Sequence, residues 1–320
     1  MAAIFLTTTC KVTNYNPRAL DNFDRIVHLA ERDLVKQHQV VDCPETADLI
    51  IFICDRRIYH SGIYSSEIFK KYPEKSVVVD FNDRTIPRIP GLYATIPFYL
   101  QQYPIYKYLF YPYNHGCFDL EKANALFSDY KYLFSFMGDV NTYPSVRGEV
   151  LSLIHPRAYL KNTYQDFSPD LFTEVSICSK FVLCPRGVAA STIRVFETMR
   201  ASRVPVIISD EWQENELAED VDWPEFSVRI PERDIKLIPE ILEALEPKAL
   251  IMGQKARSVW ENNFSISHGF NWLVNSCLKI QKSRHDCERV LSRKVYLEAL
   301  NKHHFIPFYK ESIRGALGKI

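Results

Sequence analysis

No stretch of the 320 residues approaches the roughly 18 consecutive apolar positions that a bilayer-crossing helix needs, so no transmembrane segment is expected. The opening run, MAAIFLTTTCKVTNYNP, lacks a basic leader and its apolar stretch is too short for a signal peptide; it reads as a first buried strand. Charge of one sign is lacking too, with 39 Lys+Arg against 39 Asp+Glu. A balanced chain has no overall field to draw it onto nucleic acid, so any anion site has to be local. The eight cysteines form no C-x-x-C pair and meet no histidine at zinc spacing. Cys10, Cys54, Cys178 and Cys184 lie in or beside apolar runs, where reduced, buried thiols of a cytoplasmic protein are the expectation. Glycine is scarce, at 10 residues. No G-x-G-x-x-G fingerprint, G-x-x-x-x-G-K-[ST] loop or G-x-S-x-G elbow occurs.

What is there is the composition of a folded protein, 47% apolar and 24% charged. Tyr and Phe are plentiful, at 18 and 20; such rings stack on sugars, but most of them fill cores. At about 150 residues per domain the length suits two domains. In the first half, Ala3–Thr8 and the continuous apolar runs Leu49–Cys54 and Val77–Val79 predict buried strands. Between the first two, Asp21–His38 carries Phe23, Ile26, Val27, Ala30, Leu34 and Val35 at helical spacing, with Asp21 as a cap. Ser65–Lys71 predicts a short helix. Strands without alternation, separated by helices, point to a parallel sheet covered on both faces. The Pro- and Tyr-rich stretch from Pro87 to His115 reads as an irregular connection, since Pro withholds a backbone donor.

The pattern then restarts. Tyr132–Met137 predicts a strand with Gly138 behind it, followed by a helix over Ser145–Ile154. Phe181–Cys184, Thr192–Arg200 and Val204–Ser209 predict strand, helix and strand. Further helices are expected at Ile238–Leu245, Lys248–Asn262, Phe270–Gln281 and from Glu288 onward. The division that follows is 1–127, 128–284 and a helical tail, 285–320, packing on the first domain. That tail is mildly basic, which leaves a peripheral membrane contact open.

The chemistry concentrates in Ser179–Asp210, SKFVLCPRGVAASTIRVFETMRASRVPVIISD. An apolar strand runs into Pro185-Arg186-Gly187, then small residues, then a helix for which Ser191 is the expected cap. At about 100° per residue, Ile193, Val195, Phe196 and Met199 share one half of that helix. Ser191, Arg194, Glu197 and Thr198 share the other. The polar half is placed to face ligands at the carboxyl ends of the strands. A helix amino end suits phosphate oxygens. Arg186 and Arg194 supply forked donors, and Glu197 could accept two ribose hydroxyls. An ordinary amphipathic helix with a surface Arg–Glu pair is the plainer reading of the same spacing.

The run S-K-F-x-L-C-P-R-G, S-x-x-R-x-F-E and V-P-V-I-I-S-D resembles the signature of the exostosin-type glycosyltransferases. Phe134-Ser135-Phe136-Met137-Gly138 with Arg147, and Trp223-Pro224-Glu225-Phe226-Ser227-Val228, are similar to its flanking elements. The clear resemblance spans roughly 132–230; the first half matches only at Val77–Asp83 and Pro90–Tyr93. It implies the α/β GT-B fold, two Rossmann-like doubly wound parallel sheets facing a cleft. It also implies a nucleotide-sugar donor, first of all a UDP-sugar, in the second domain and a saccharide acceptor across the cleft. Arg147, Arg186 and Arg194 would neutralise the diphosphate, with Gly138 and Gly187 giving close approach. Ser191 and Thr192 would donate at the helix start, and Glu197 would hold the ribose. The sequence departs from the family at Ser202, where glycine is usual. A left-handed backbone there would cost serine about 1 kcal/mol.

No cofactor or metal is expected. Asp220-Val221-Asp222 satisfies D-x-D, but paired aspartates in an acidic loop arise by chance, and arginines with a helix dipole can stabilise a leaving diphosphate. A catalytic base is sought among Asp83 and Asp55, with Asp80 beside them, because each follows a predicted first-domain strand. Such positions also serve as turn residues. His60 and His115 lie on loops, and His303-His304 lacks further ligands. The expected activity is sugar transfer to a saccharide hydroxyl, in polysaccharide or glycan synthesis. The rivals are a silent sugar- or nucleotide-binding relative and a nucleotide-binding enzyme that needs no acceptor.

Overall fold

The computed structural model describes residues 1–8, 17–54, 60–83, 87–96, 100–110, 130–213 and 221–299. Its first sheet is built from β1 (Ala2–Thr7), β2 (His38–Val40), β3 (Leu49–Cys54), β4 (Ser76–Asp80), β5 (Gly91–Tyr93) and β6 (Tyr106–Tyr108). The second contains β7 (Tyr132–Gly138), β8 (Ala158–Asn162), β9 (Ser179–Pro185), β10 (Val204–Ile208) and β11 (Val228–Arg229). The strand orders are β2-β1-β3-β4-β5-β6 and β11-β10-β9-β7-β8. All pairings in both are parallel. Each sheet therefore reverses direction once, between β1 and β3 and between β7 and β9, which makes both doubly wound. The expected α/β GT-B plan is the plan of the molecule.

Burial follows the pattern of apolar runs. Every residue of β3, β4 and β10 is buried, as helices on both faces of a parallel sheet require. The helix Pro17–Arg32 stops earlier than its periodicity suggests. The Asp33 carboxylate accepts the Lys36 N–H at 2.9 Å and closes a turn, which leaves Leu34 72% exposed. The helix also begins before Asp21, so that residue is not its cap. The expected Ser65–Lys71 helix is two helices, His60–Ser65 and Glu67–Lys71, with the Ser66 hydroxyl accepting from Phe69 N–H at 3.5 Å.

The Pro- and Tyr-rich stretch is not wholly irregular, because β5 and β6 lie inside it. Pro90 cannot donate, yet its carbonyl accepts the Val78 N–H at 3.0 Å, so the ladder continues through the acceptor side. A side chain at Gly91 would stand 2.3 Å from the Val78 carbonyl oxygen; glycine there lets β5 approach β4. Strand β8 is a half-buried edge strand without a long apolar run, and the helix Pro169–Ile177 opens on Ser168, whose hydroxyl accepts the Leu171 N–H at 3.3 Å; neither is among the expected elements.

The two sheets share one apolar cluster, which runs from Val79 and Leu92 through Phe110 to Phe196, Met199 and Trp212. Phe110 is its centre, with ring centroids 4.6 Å from Trp272, 5.3 Å from Phe264 and 6.2 Å from Phe196. The long helix Gly269–Ala299 packs on β3, β4, β5 and β6 and on the helix Pro17–Arg32. Within it, the buried Arg284 donates to the Ser76 carbonyl at 3.0 Å.

Ser202 has φ 57°, the left-handed position that closes the helix Ile193–Arg200. The Arg203 N–H reaches the Thr198 carbonyl at 3.1 Å and the Ser202 N–H that of Met199 at 3.0 Å, a Schellman pair that favours glycine at this place. Ser202→Gly should therefore raise unfolding free energy by about 1 kcal/mol. Denaturant midpoints check it, and an unchanged or lower midpoint would refute the strain argument.

Candidate functional site

The switch point of the second sheet lies where β7 and β9 part, and ligands of such sheets bind outside the carboxyl ends there. β7 ends at Gly138 and β9 at Pro185. Arg147, on the helix Pro144–Leu151, bridges the two chain ends. Its Nε donates to the Arg186 carbonyl and its Nη1 to the Asp139 carbonyl, each at 2.9 Å. The glycines on either side make room for it. An added Cβ at Gly138 would meet Phe136 Cζ at 2.8 Å and Arg147 Nη1 at 3.3 Å; at Gly187 it would meet Arg147 Nη2 at 3.1 Å. Neither glycine is needed for a left-handed turn. Each is needed for space.

Arg194 approaches from the first turn of the helix Ile193–Arg200. Its Nη2 donates to the Met137 carbonyl at 2.6 Å, and its guanidinium lies 4.9 Å from the Phe136 ring and 5.5 Å from that of Phe172. Arg147 packs against the same Phe136 ring at 5.7 Å. The Nε and Nη1 of Arg194 are buried and have no hydrogen-bond partner among the described residues. Among those residues no carboxylate stands within ion-pair distance of Arg147 or Arg194. Burial, then repulsion from Arg194, holds Arg147 well below its usual range against the pull of Asp139; burial lowers Arg194 against the pull of Cys184 and Glu197. Two cations share one aromatic ring with no described carboxylate in direct contact; Asp139 and Glu197 act on them only at longer range.

Arg186 completes the group. It is 6% exposed and stacks on the Tyr143 ring at 4.3 Å. Glu211 stands 3.1 Å from its Nη1 and Glu232 3.8 Å. Glu197 faces the same side of its helix as Arg194. It is 7% exposed, and burial raises its pKa while Arg194 and Arg200 lower it. Its carboxylate has no hydrogen-bond partner among the described residues.

Two placements differ from expectation. The cap of the helix Ile193–Arg200 is Thr192, whose side chain accepts from the Arg194 N–H at 3.4 Å, rather than Ser191. Ser191 is 2% exposed and donates to the Ala94 carbonyl at 2.7 Å, so its hydroxyl proton is spent on joining the two lobes. The helix is also covered on its polar half, with Glu197 and Thr198 buried while Ile193 is half-exposed. Gly138, Arg147, Arg186, Gly187, Thr192, Arg194 and Glu197 all belong to one end of the second sheet or the helix beside it.

Across the seam, Asp80 is fully buried and accepts the Asn82 N–H at 2.8 Å. Asp83 stands half-buried in the turn after β4. Asp55 lies outside the described residues, as do Asp220 of the D-x-D run, His115 and the pair His303-His304. Among the described residues no group of three or more His, Cys, Asp or Glu is placed to hold a metal ion. Tyr143 and Glu211 stand in no motif of the sequence, and Phe136 stands there only as part of the strand before Gly138. Their roles arise from contacts across separate elements, for which a linear pattern holds no sign.

The fold is that of a parallel, doubly wound α/β protein with three arginines gathered at the switch point of its second sheet. Residues 108–245 match the family model described as the Exostosin GT47 domain, and that stretch is of the exostosin type. Among curated proteins, the chain is 34% identical over 91 residues to an exostosin-1 homolog of Caenorhabditis elegans, which is 28% of this chain and 24% of that protein. It is 33% identical over 86 residues to exostosin-1 of Mus musculus, 27% and 11% of the two chains. The matched stretch thus spans a quarter or less of these relatives. Of solved structures, WaaG, a glycosyltransferase involved in lipopolysaccharide biosynthesis, aligns at TM-score 0.38 and 11% identity over 89% of this chain and 99% of that one. At that level the overlap adds nothing to the strand order already described.

Proposed function

We propose that this protein is a glycosyltransferase that moves a hexosyl or hexuronosyl unit from a nucleotide-diphosphate sugar to a saccharide hydroxyl. The observation that carries the reading is the pair Arg147 and Arg194, both set against Phe136, with no carboxylate in direct contact and two buried Arg194 nitrogens unpartnered among the described residues. A diphosphate would supply the missing counter-charge, and its affinity would rise because the site excludes water. As the donor bond to the sugar breaks, negative charge grows on the leaving diphosphate. Fixed guanidinium groups act on that charge with little reorganisation.

In this reading Arg186 joins the two arginines on the phosphates. Thr192 and the helix amino end behind it meet a phosphate oxygen. Glu197, unpartnered and close to the cluster, accepts the ribose hydroxyls. Gly138 and Gly187 act through the space they leave for Arg147. Ser191 serves the seam between lobes. The acceptor would bind on the first-sheet side, where Asp83 is the candidate for taking the proton from the attacking hydroxyl. Asp80, already holding a turn, is the poorer one.

The test is a thermal-shift screen with nucleotide-sugars, followed by transfer assays with saccharide acceptors. A true donor raises the melting temperature by mass action. Glu197→Ala and Arg186→Ala should each lose donor turnover while staying folded. Wild-type turnover in both would sink the mechanism. Donor binding without turnover on any acceptor would point to a silent relative instead.

A further inference from the structure

The two carboxylates beside Arg186 are held in different ways. Glu232 is fastened into the turn after β10. Its Oε1 accepts the Asp210 N–H at 3.0 Å, and its own N–H donates to Asp210 Oδ1 at 3.0 Å. It reaches Arg186 only at 3.8 Å. The Glu211 side chain is 48% exposed, and Arg186 is its one polar partner among the described residues. Its backbone is pinned. The Glu211 carbonyl accepts from Gln101 Nε2 at 2.7 Å and from Tyr108 Oη at 3.0 Å. Both donors are buried and come from the carboxyl edge of the first sheet. The first lobe therefore fixes where Glu211 stands, and a solvent-facing side chain carries its charge onto Arg186.

We propose that Glu211 is an intramolecular stand-in for phosphate: it occupies Arg186 while the crevice is empty and gives it up to a nucleoside diphosphate, so that Glu211 sets donor affinity. The inference rests on the donor-site reading above. The Arg186 guanidinium carbon lies 4.3 Å from the centre of the Tyr143 ring, which holds the group against that ring; an anion that takes its fork can gain two donors. A diphosphate, with more charge than one carboxylate, wins the exchange but has first to break the ion pair. Loss of the Glu211 charge removes that competitor. The long contact to Glu232 and the stacking on Tyr143 keep Arg186 in place without Glu211.

The direction of the effect separates this from a plain positioning role. If Glu211 served only to orient Arg186, removing its charge would weaken ligand binding. Calorimetric titration of the full chain with UDP reads the difference. We expect E211Q to bind UDP about 2- to 5-fold more tightly than wild type, the range of a partly exposed ion pair, with an unchanged melting temperature. E211D, one methylene too short to keep the contact, should tighten binding likewise although its charge remains. It also serves as the variant to measure if E211Q does not fold. Unchanged or weaker UDP affinity in the variants would overturn the proposal, as would an E211D that matches wild type beside a tighter E211Q. Wild-type protein that binds no nucleoside diphosphate at all would overturn the donor-site reading itself, a distinct result.

Discussion

Arg194→Met should lower donor turnover by roughly 100- to 1,000-fold, the usual cost of removing one preorganised donor to developing charge, and leave the fold intact. The second half of this expectation is the informative one. A buried arginine that served the fold would leave polar groups stranded when lost. Arg194 contributes one hydrogen bond, to the Met137 carbonyl, and leaves two buried nitrogens unpartnered. It also faces repulsion from the neighbouring Arg147, set against attraction to Glu197. An apolar side chain of similar length keeps the contacts with Phe136 and Phe172 and removes the desolvated charge. Such exchanges are often neutral or stabilising. Melting temperature and single-turnover donor cleavage, measured together, decide the matter. A variant that melts well below wild type with turnover preserved would place Arg194 in the scaffold rather than the site.

The second large effect belongs to the seam. Phe110 is fully buried among Phe196, Phe264 and Trp272, rings contributed by the helix of the crevice and by the carboxyl-terminal helices. A side chain at Gly269 would come within 3.0 Å of its ring, so the nest fits closely. Phe110→Ala should cost about 3–5 kcal/mol, because the cavity left by a ring in a close-packed nest collapses only partly. For a chain of this size the melting temperature should fall by on the order of 10 °C. Since one apolar cluster spans both sheets, the loss should appear in a single transition. A drop of less than about 2 °C, or separate melting of two units with only one affected, would refute a shared core. The coupling bears on function, because Phe196 lies on the same helix as Arg194 and Glu197.

What could be read from the sequence was local. Val77–Val79, Leu49–Cys54 and Val204–Ile208 are short, apolar without alternation and rich in Val and Ile, which suits a strand covered on both faces. The segment 179–210 carried its strand, its turn and its helix in one contiguous run, so the site's main element was visible before any folding was considered. At Ser202 the resemblance marked only a departure from the family's glycine; the left-handed backbone itself is a finding of the structure.

What the tertiary structure decided was every relation between distant segments. Arg147 reaches the carbonyl of Arg186, 39 positions away, because β7 and β9 are neighbours at the switch point. Ser191 looked like a cap in the linear pattern, but the first lobe offers the Ala94 carbonyl to its hydroxyl, and Thr192 takes the cap. β5 formed directly after Pro90 because its parallel neighbour β4 takes the carbonyl that proline retains, the Val78 N–H reaching Pro90 at 3.0 Å. Phe136, Tyr143 and Glu211 gained their places only when rings and a carboxylate from separate elements met the guanidinium groups of Arg147, Arg186 and Arg194. Periodicity fixes which face of an element is apolar; which charge a buried face meets depends on the partner packed against it, and that is settled by the fold.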